Sequence, residues 1–132
     1  IKLFTTINAF KQSISEIVKG NPNKYFAQVF QALRIEVNEE MKVLEEMLSQ
    51  STGVLKEGGR VAVITFHSLE DRIVKNFFKT GSVEEIEADD VYGTKAETPF
   101  RIITKKPVTA TAQEQKINSR SRSAKLRVAE KK

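Results

Sequence analysis

Residues 55–79 read Leu-Lys-Glu-Gly-Gly-Arg-Val-Ala-Val-Ile-Thr-Phe-His-Ser-Leu-Glu-Asp-Arg-Ile-Val-Lys-Asn-Phe-Phe-Lys, and this stretch decides the fold. Gly58-Gly59 marks a turn. Arg60 to Phe66 is a short, mostly apolar, β-branched run between polar punctuation, which predicts a strand. Apolar side chains at nearly every position predict burial on both faces, as in the parallel sheet of an α/β fold. Ser68 is placed to cap a following helix, with Asp71 as its capping-box partner. Ile73, Val74, Phe77 and Phe78 recur at helical spacing and give that helix one apolar stripe. His67, the only histidine in the chain, stands between strand and helix. Open α/β sheets bind ligands at the carboxyl ends of their strands. Phe66-His67-Ser68 is therefore where chemistry is expected.

Upstream, the pattern is helical. Thr6 can cap a first helix with Ile7, Phe10, Ile14 and Ile17 on one face and Gly20 at its end. Asn21-Pro22-Asn23 is a turn signal. A second helix is expected from about Tyr25 to Glu36, with Phe26, Val29, Phe30 and Leu33 as its stripe. Asn38 is placed to cap a third, with Glu39 and Glu40 in its first turn, where they favour the macrodipole. Met41, Leu44, Met47 and Leu48 continue that helix towards Gly53.

Downstream, residues 82–97 hold six acidic side chains and one lysine, which predicts an exposed, mobile excursion. Phe100 to Thr104 reads as a second strand, ended by Lys105-Lys106-Pro107. Residues 108–118 are polar, with a short helical turn expected around Ala112 to Lys116. Ser119 to Ser123 alternates serine and arginine. Ala124 to Ala129 reads as a third strand, with Leu126 and Val128 on one side and Lys125 and Arg127 on the other.

The 132 residues suffice for one domain of ordinary size. Hydrophobic residues at 39% and charged residues at 30% are globular composition rather than disorder. The lack of cysteine removes disulfides and thiolate metal sites, and fits a reducing cytoplasm. His67 is not expected to ligate a metal, since no second histidine or cysteine exists to join it. No signal peptide and no membrane span are read. The net charge of +5 understates the C-terminal region. From 101 to 132 there are ten Lys/Arg against two Glu, a local +8. Closely spaced arginines in such a tail suit phosphate contacts.

Three blocks, taken together, resemble a known family. They are Phe30-Gln31-Ala32-Leu33-Arg34-Ile35 with Val37-Asn38, then Phe66-His67-Ser68-Leu69-Glu70-Asp71-Arg72 with Ile73-Val74-Lys75, then Ser119 to Arg127. Their sequence and order are similar to the MraW family of bacterial small-subunit ribosomal RNA methyltransferases. The resemblance implies a class I, Rossmann-like, S-adenosylmethionine-dependent fold. It implies methyl transfer to the N(4) amino group of a cytidine in the decoding region. Strand 60–66 would be the fifth of that sheet, and 100–104 and 124–129 the sixth and seventh, the last antiparallel. Residues 1–54 would form a helical segment, and 55–132 the C-terminal part of the sheet with its basic tail.

The same resemblance places the family's methyl-donor site in its N-terminal half, on a glycine-rich loop after the first strand and acidic positions after later ones. None of these occurs here, and no G-x-G-x-x-G is present. The chain thus resembles the C-terminal portion of such an enzyme, with the S-adenosylmethionine site outside it. An edge strand without its neighbour seeks a partner, so self-association through 60–66 or the helices at 6–50 is expected.

The candidate residues keep two readings each. His67 either faces the methyl-transfer pocket, where an imidazole suits a general base, or fixes the strand-to-helix turn with Ser68 and Asp71. Glu70 and Asp71 are either a carboxylate pair or first-turn acids favoured by the helix dipole, since adjacent helical positions do not face one another. Arg34 either reaches RNA phosphate or has a structural role, pairing with one of the acids from Glu36 to Glu40 or with a sheet-end carbonyl. Arg120, Arg122 and Lys125 lead the RNA-binding candidates, with Lys105 and Lys106 behind them. Only Phe100 lies near this tail as an aromatic for base stacking. The segment is therefore expected to position RNA rather than read its bases. A small basic RNA-binding module without catalysis is the alternative of a different class.

Overall fold

The computed structural model describes residues 3–83 and 98–132. The expected acidic excursion falls almost wholly outside the described residues. The chain forms two compact units, Ile1–Glu40 and Met41–Lys132. No described helix is long and apolar enough to cross a membrane.

In the first unit, helix α1 spans Ile7–Ser13, and Thr6 Oγ1 caps it by accepting the Ala9 N–H at 3.1 Å. It stops short of Gly20, and a 3-10 turn over Ser15–Ile17 follows. The hydroxyls of Ser13 and Ser15 donate to the carbonyls of Phe10 and Gln12, each at 2.7 Å. Such local bonds compete with helix propagation. Helix α2 spans Pro22–Val37, starting earlier than the sequence pattern indicates. Asn21 Oδ1 accepts the N–H groups of Asn23 and Lys24, and Pro22 takes the first helical position, which needs no donor. The turn signal is thus a helix start. Asn38 does not cap the third helix. It closes α2, donating its N–H to the Arg34 and Glu36 carbonyls. Glu39 takes a left-handed φ of 49°, so helix α3 begins only at Glu40 and runs to Val54. No residue of α1 or α2 is buried.

In the second unit, α3 is followed by β1 (Arg60–Thr65), α4 (Ser68–Thr80), β2 (Phe100–Ile102), β3 (Val108–Thr109), α5 (Ala112–Ile117), a 3-10 turn (Ser119–Ser123) and β4 (Lys125–Lys131). Strand β4 lies in the middle of the sheet. It pairs antiparallel with β1 on one side and with β2 and β3 on the other. The expected antiparallel last strand is therefore present, inserted between two strands that run parallel to each other.

Strand β1 is not buried on both faces. Val63 and Thr65 are buried, whereas Ile64 is 58% exposed. Among the described residues β1 pairs with β4 alone, and one face carries the core while the other is open. Leu48, Val63, Val74, Phe77, Phe78, Phe100 and Ala129 form that core. The rings of Phe77, Phe78 and Phe100 lie 5.5 to 6.3 Å apart in tilted pairs. Gly81 ends α4 in the left-handed region at φ 78°, and a Cβ there would collide with Pro99.

Candidate RNA-facing site at the carboxyl end of β1

Where β1 ends, the chain turns directly into α4, and the turn is fixed one residue earlier than the Ser68–Asp71 pattern indicates. His67 is the N-cap. Its backbone is extended, and its Nδ1 accepts the Glu70 N–H at 3.3 Å. Glu70 Oε2 returns the bond, accepting the Phe66 N–H at 2.7 Å and the His67 N–H at 3.3 Å. The capping box is thus His67 with Glu70. Ser68 is the first helical residue, and Asp71 is one position too far along to close the box. His67 Nε2 is buried without a hydrogen bond, 3.4 Å from Glu70 Oε1.

Asp71 is spent elsewhere. Its carboxylate accepts from Arg127 Nε at 2.7 Å and Nη2 at 3.2 Å, and lies 3.4 Å from Lys125 Nζ. The hydrogen bonds from Arg127 hold its pKa below the usual aspartate value against the opposing effect of burial, with the charges of Arg127 and Lys125 adding. Strand β4 alternates as the sequence indicates, but its basic side faces α4: Arg127 is buried, while Leu126 and Val128 lie on the open face. An acid in the first turn of α4 makes this possible. Glu70 and Asp71 therefore do not act as a pair. One closes the cap and the other joins α4 to the sheet.

The register sets the basic arm beside this turn. Thr65 pairs with Lys125, so the segment leading into β4 meets the chain leaving β1. In that segment the serine–arginine alternation forms a 3-10 turn capped by Asn118, whose Oδ1 accepts the Arg120 N–H at 3.2 Å. Ser121 is buried and donates to the Asn118 carbonyl at 2.8 Å, while Arg120 and Arg122 point outward. Lys125 is shared between solvent and Asp71. Lys105 and Lys106 are exposed at the corner between β2 and β3. There, Thr104 Oγ1 accepts the Val128 N–H at 2.8 Å, and the Ile103 and Thr104 N–H groups both donate to the Val128 carbonyl. Arg34 belongs to the other unit, where its Nε meets Glu40 Oε1 at 2.8 Å.

Two features are not read from the sequence. Glu130 bridges Arg60, at 2.9 Å, and Arg101 across three strands on the open face. Hydrogen bonds from Arg60, then Arg101, lower its pKa. The other is the exposure of Phe66, 54% at the end of β1, a residue that the sequence places at the strand end without a base contact. Phe100, the one aromatic near the tail in sequence, is 1% exposed and belongs to the core.

Comparison with known proteins fits this arrangement. The family described as "MraW methylase family" matches residues 2–132. The ribosomal RNA small subunit methyltransferase H of Parabacteroides distasonis is 51% identical over 131 residues, covering 98% of this chain and 43% of that protein. The protein of the same name from Azobacteroides pseudotrichonymphae is 53% identical over 127 residues, covering 96% of this chain and 41% of its own length. That from Amoebophilus asiaticus is 55% identical over 108 residues, covering 82% and 34%. The chain spans about two fifths of the first two, and corresponds to their C-terminal part. By this match over nearly its whole length, the chain belongs to the MraW methylase family.

Proposed function

We propose that this chain is the C-terminal part of a class I, S-adenosylmethionine-dependent methyltransferase with a Rossmann-like sheet. The whole enzyme would methylate the N(4) amino group of a cytidine in small-subunit ribosomal RNA, in the cytoplasm. The observation that carries this reading is the family match over residues 2–132, with relatives named as ribosomal RNA small subunit methyltransferases.

The described residues do not fit a methyl-donor site. Glycine-rich loops that follow a strand let a phosphate or nucleoside approach the backbone. Here the glycine pair precedes β1, which runs instead into Phe66-His67, and β2 runs into Ile103. The contribution of the described residues is to the RNA. Arg120, Arg122 and Lys125, with Lys105 and Lys106, would hold phosphates. The rigid turn at Phe66–Glu70 would wall the target pocket. The target base has to be presented out of its stack or from a single strand. An exocyclic amine gives up its proton only as the methyl arrives, so a strong base is not required. His67 then serves best by fixing the turn, its Nδ1 being engaged as the cap.

Calorimetric titration of S-adenosylmethionine into the 132-residue chain tests the division of labour. The expected result is no heat from a chain with a folded circular-dichroism spectrum. Micromolar binding would sink it. For the reaction, the full-length enzyme is incubated with labelled donor and small-subunit RNA, and the RNA is digested to nucleosides. Label in N(4)-methylcytidine is expected, and label in any other nucleoside overturns the assignment.

A further inference from the structure

We propose that Phe66 is the platform on which the target base of the RNA stacks. The inference rests on the methyltransferase reading above and assigns it a substrate-contacting residue.

Among the described residues of the second unit, the aromatic side chains other than Phe66 belong to its core. Phe77, Phe78 and Phe100 are each no more than 2% exposed. Phe66 is the exposed aromatic among that unit's described residues. Its place is not that of an ordinary surface phenylalanine. It follows the last residue of β1, at the end of the strand where ligands of open α/β sheets gather. Its backbone is pinned, since its N–H is bonded to Glu70 Oε2 at 2.7 Å and the next N–H shares that oxygen. A ring on a fixed backbone loses little freedom when a base settles on it.

The surroundings are those of a nucleic-acid site. Sites for single strands combine cations that follow the backbone with aromatic faces that take the bases. Thr65 pairs with Lys125, so the arm carrying Arg120 and Arg122 enters β4 beside Phe66. Sequence separation hides this, since more than fifty residues lie between the ring and the arginines. A base removed from its stack loses its aromatic neighbours, and enzymes that extrude a base replace them with aromatic or apolar side chains. Phe66 is placed to do so for a cytosine next to a phosphate-binding arm.

The test uses the full-length enzyme with Phe66→Leu, Phe66→Ala and Phe66→Tyr. Leucine keeps the apolar contact and removes the π-face, so packing and stacking part company. The expected result is a loss of roughly 5- to 150-fold in kcat/KM for RNA with both Leu and Ala, the range set by stacking one base on an aromatic. Tyrosine should stay within about twofold, and donor affinity and melting temperature should stay unchanged in the Leu variant. A second readout places a fluorescent cytosine analogue at the target position. Wild type and Phe66→Tyr should quench it on binding, and Phe66→Leu should not. Equal quenching and equal kcat/KM in Phe66→Leu overturn the proposal, as does a parallel fall of melting temperature and donor affinity that tyrosine does not rescue. A wild-type enzyme that leaves the RNA unmethylated overturns the underlying reading instead.

Discussion

Asp71 and Arg127 lie 56 residues apart in sequence and face each other as a bidentate pair, with Arg127 Nε 2.7 Å and Nη2 3.2 Å from the two carboxylate oxygens. Their side chains keep only 12% and 9% of their surface exposed. The pair joins the first turn of α4 to the central strand. Removing Asp71 leaves Arg127 buried without its partner, and removing Arg127 leaves Asp71 with Lys125 alone at 3.4 Å; breaking such a buried pair costs about 3–5 kcal/mol. Urea unfolding of Asp71→Asn and of Arg127→Met should each show a loss of that order. The double variant should lose less than the sum, because the two side chains share one interaction. Simple additivity would show that the pair does not hold α4 to the sheet.

The same pair sets an acid limb on stability. The folded-state pKa of Asp71 is lowered, chiefly by the hydrogen bonds from Arg127. An unfolded aspartate titrates near ~3.9, so on acidification the unfolded chain binds this proton first. The contribution of Asp71 is therefore complete above that value and lost as pH falls through the lower, folded-state one. The difference in unfolding free energy between wild type and Asp71→Asn should be flat near neutral pH and narrow below about pH 4. Glu130, lowered by Arg60 and Arg101, shifts the acid limb in the same direction. A difference that widens on acidification would contradict the pairing.

The capping box makes a separate prediction. His67→Ala removes the side-chain acceptor for the Glu70 N–H, and loss of a cap costs about 1 kcal/mol. His67→Ser and His67→Asn supply another acceptor and should recover most of it. Thermal melts of the three variants decide the matter. Equal losses in all three would show that the imidazole stabilises through burial rather than capping.

The strand-to-helix order, the apolar stripe of α4 and the alternation of β4 were legible because each is a local pattern. The one-residue error in the cap was not avoidable from Ser68 and Asp71 alone. Ser-x-x-Asp fits the box chemically, and what excludes it is Arg127, a residue that reaches Asp71 only through the register of β4 against β1. Which face of β4 meets α4 is likewise decided by register, which sets Asp71 of α4 against Lys125 and Arg127. Asn38 was misread because a cap residue suits either end of a helix junction, and only the left-handed Glu39 decides which. Burial of β1 on both faces was inferred from Ala62 and Ile64, which lie on the open face. The closeness of Phe66 to the basic tail is not visible along the chain, because it arises only from the pairing of Thr65 with Lys125.

The basic arm should act through phosphate alone. Arg120 and Arg122 are exposed and held outward by the buried Ser121, so their removal should leave stability untouched. Binding of single-stranded ribosomal RNA to the full-length enzyme falls with salt by about 0.7 log units per log unit for each phosphate neutralised. Arg120→Ala and Arg122→Ala should each lower that slope by about this amount, with equal effects on different RNA sequences. Lys125→Ala should lower both the slope and the melting temperature, because Lys125 also contacts Asp71. A sequence-dependent loss in the arginine variants would mean that the arm reads bases.

Strand β1 presents the last prediction. Among the described residues its only ladder is to β4, and beside that ladder lies an open face with Ile64 58% and Phe66 54% exposed. Unpaired strand edges template pairing with another chain, and an adjoining apolar face adds to the drive. The 132-residue chain in isolation should therefore self-associate, with a sedimentation coefficient that rises with concentration. A lysine at Ile64 puts a charge on that face, the device by which natural edge strands resist pairing. Ile64→Lys should shift the chain to monomer while leaving its helical circular dichroism unchanged, since Ile64 takes no part in the core. Wild-type chain that stays monomeric at high concentration would show that the edge is protected within these residues. Self-association that survives Ile64→Lys would move the contact to the first unit, whose α1 and α2 bury none of their residues and expose Ile7 and Val37 by 65% and 78%.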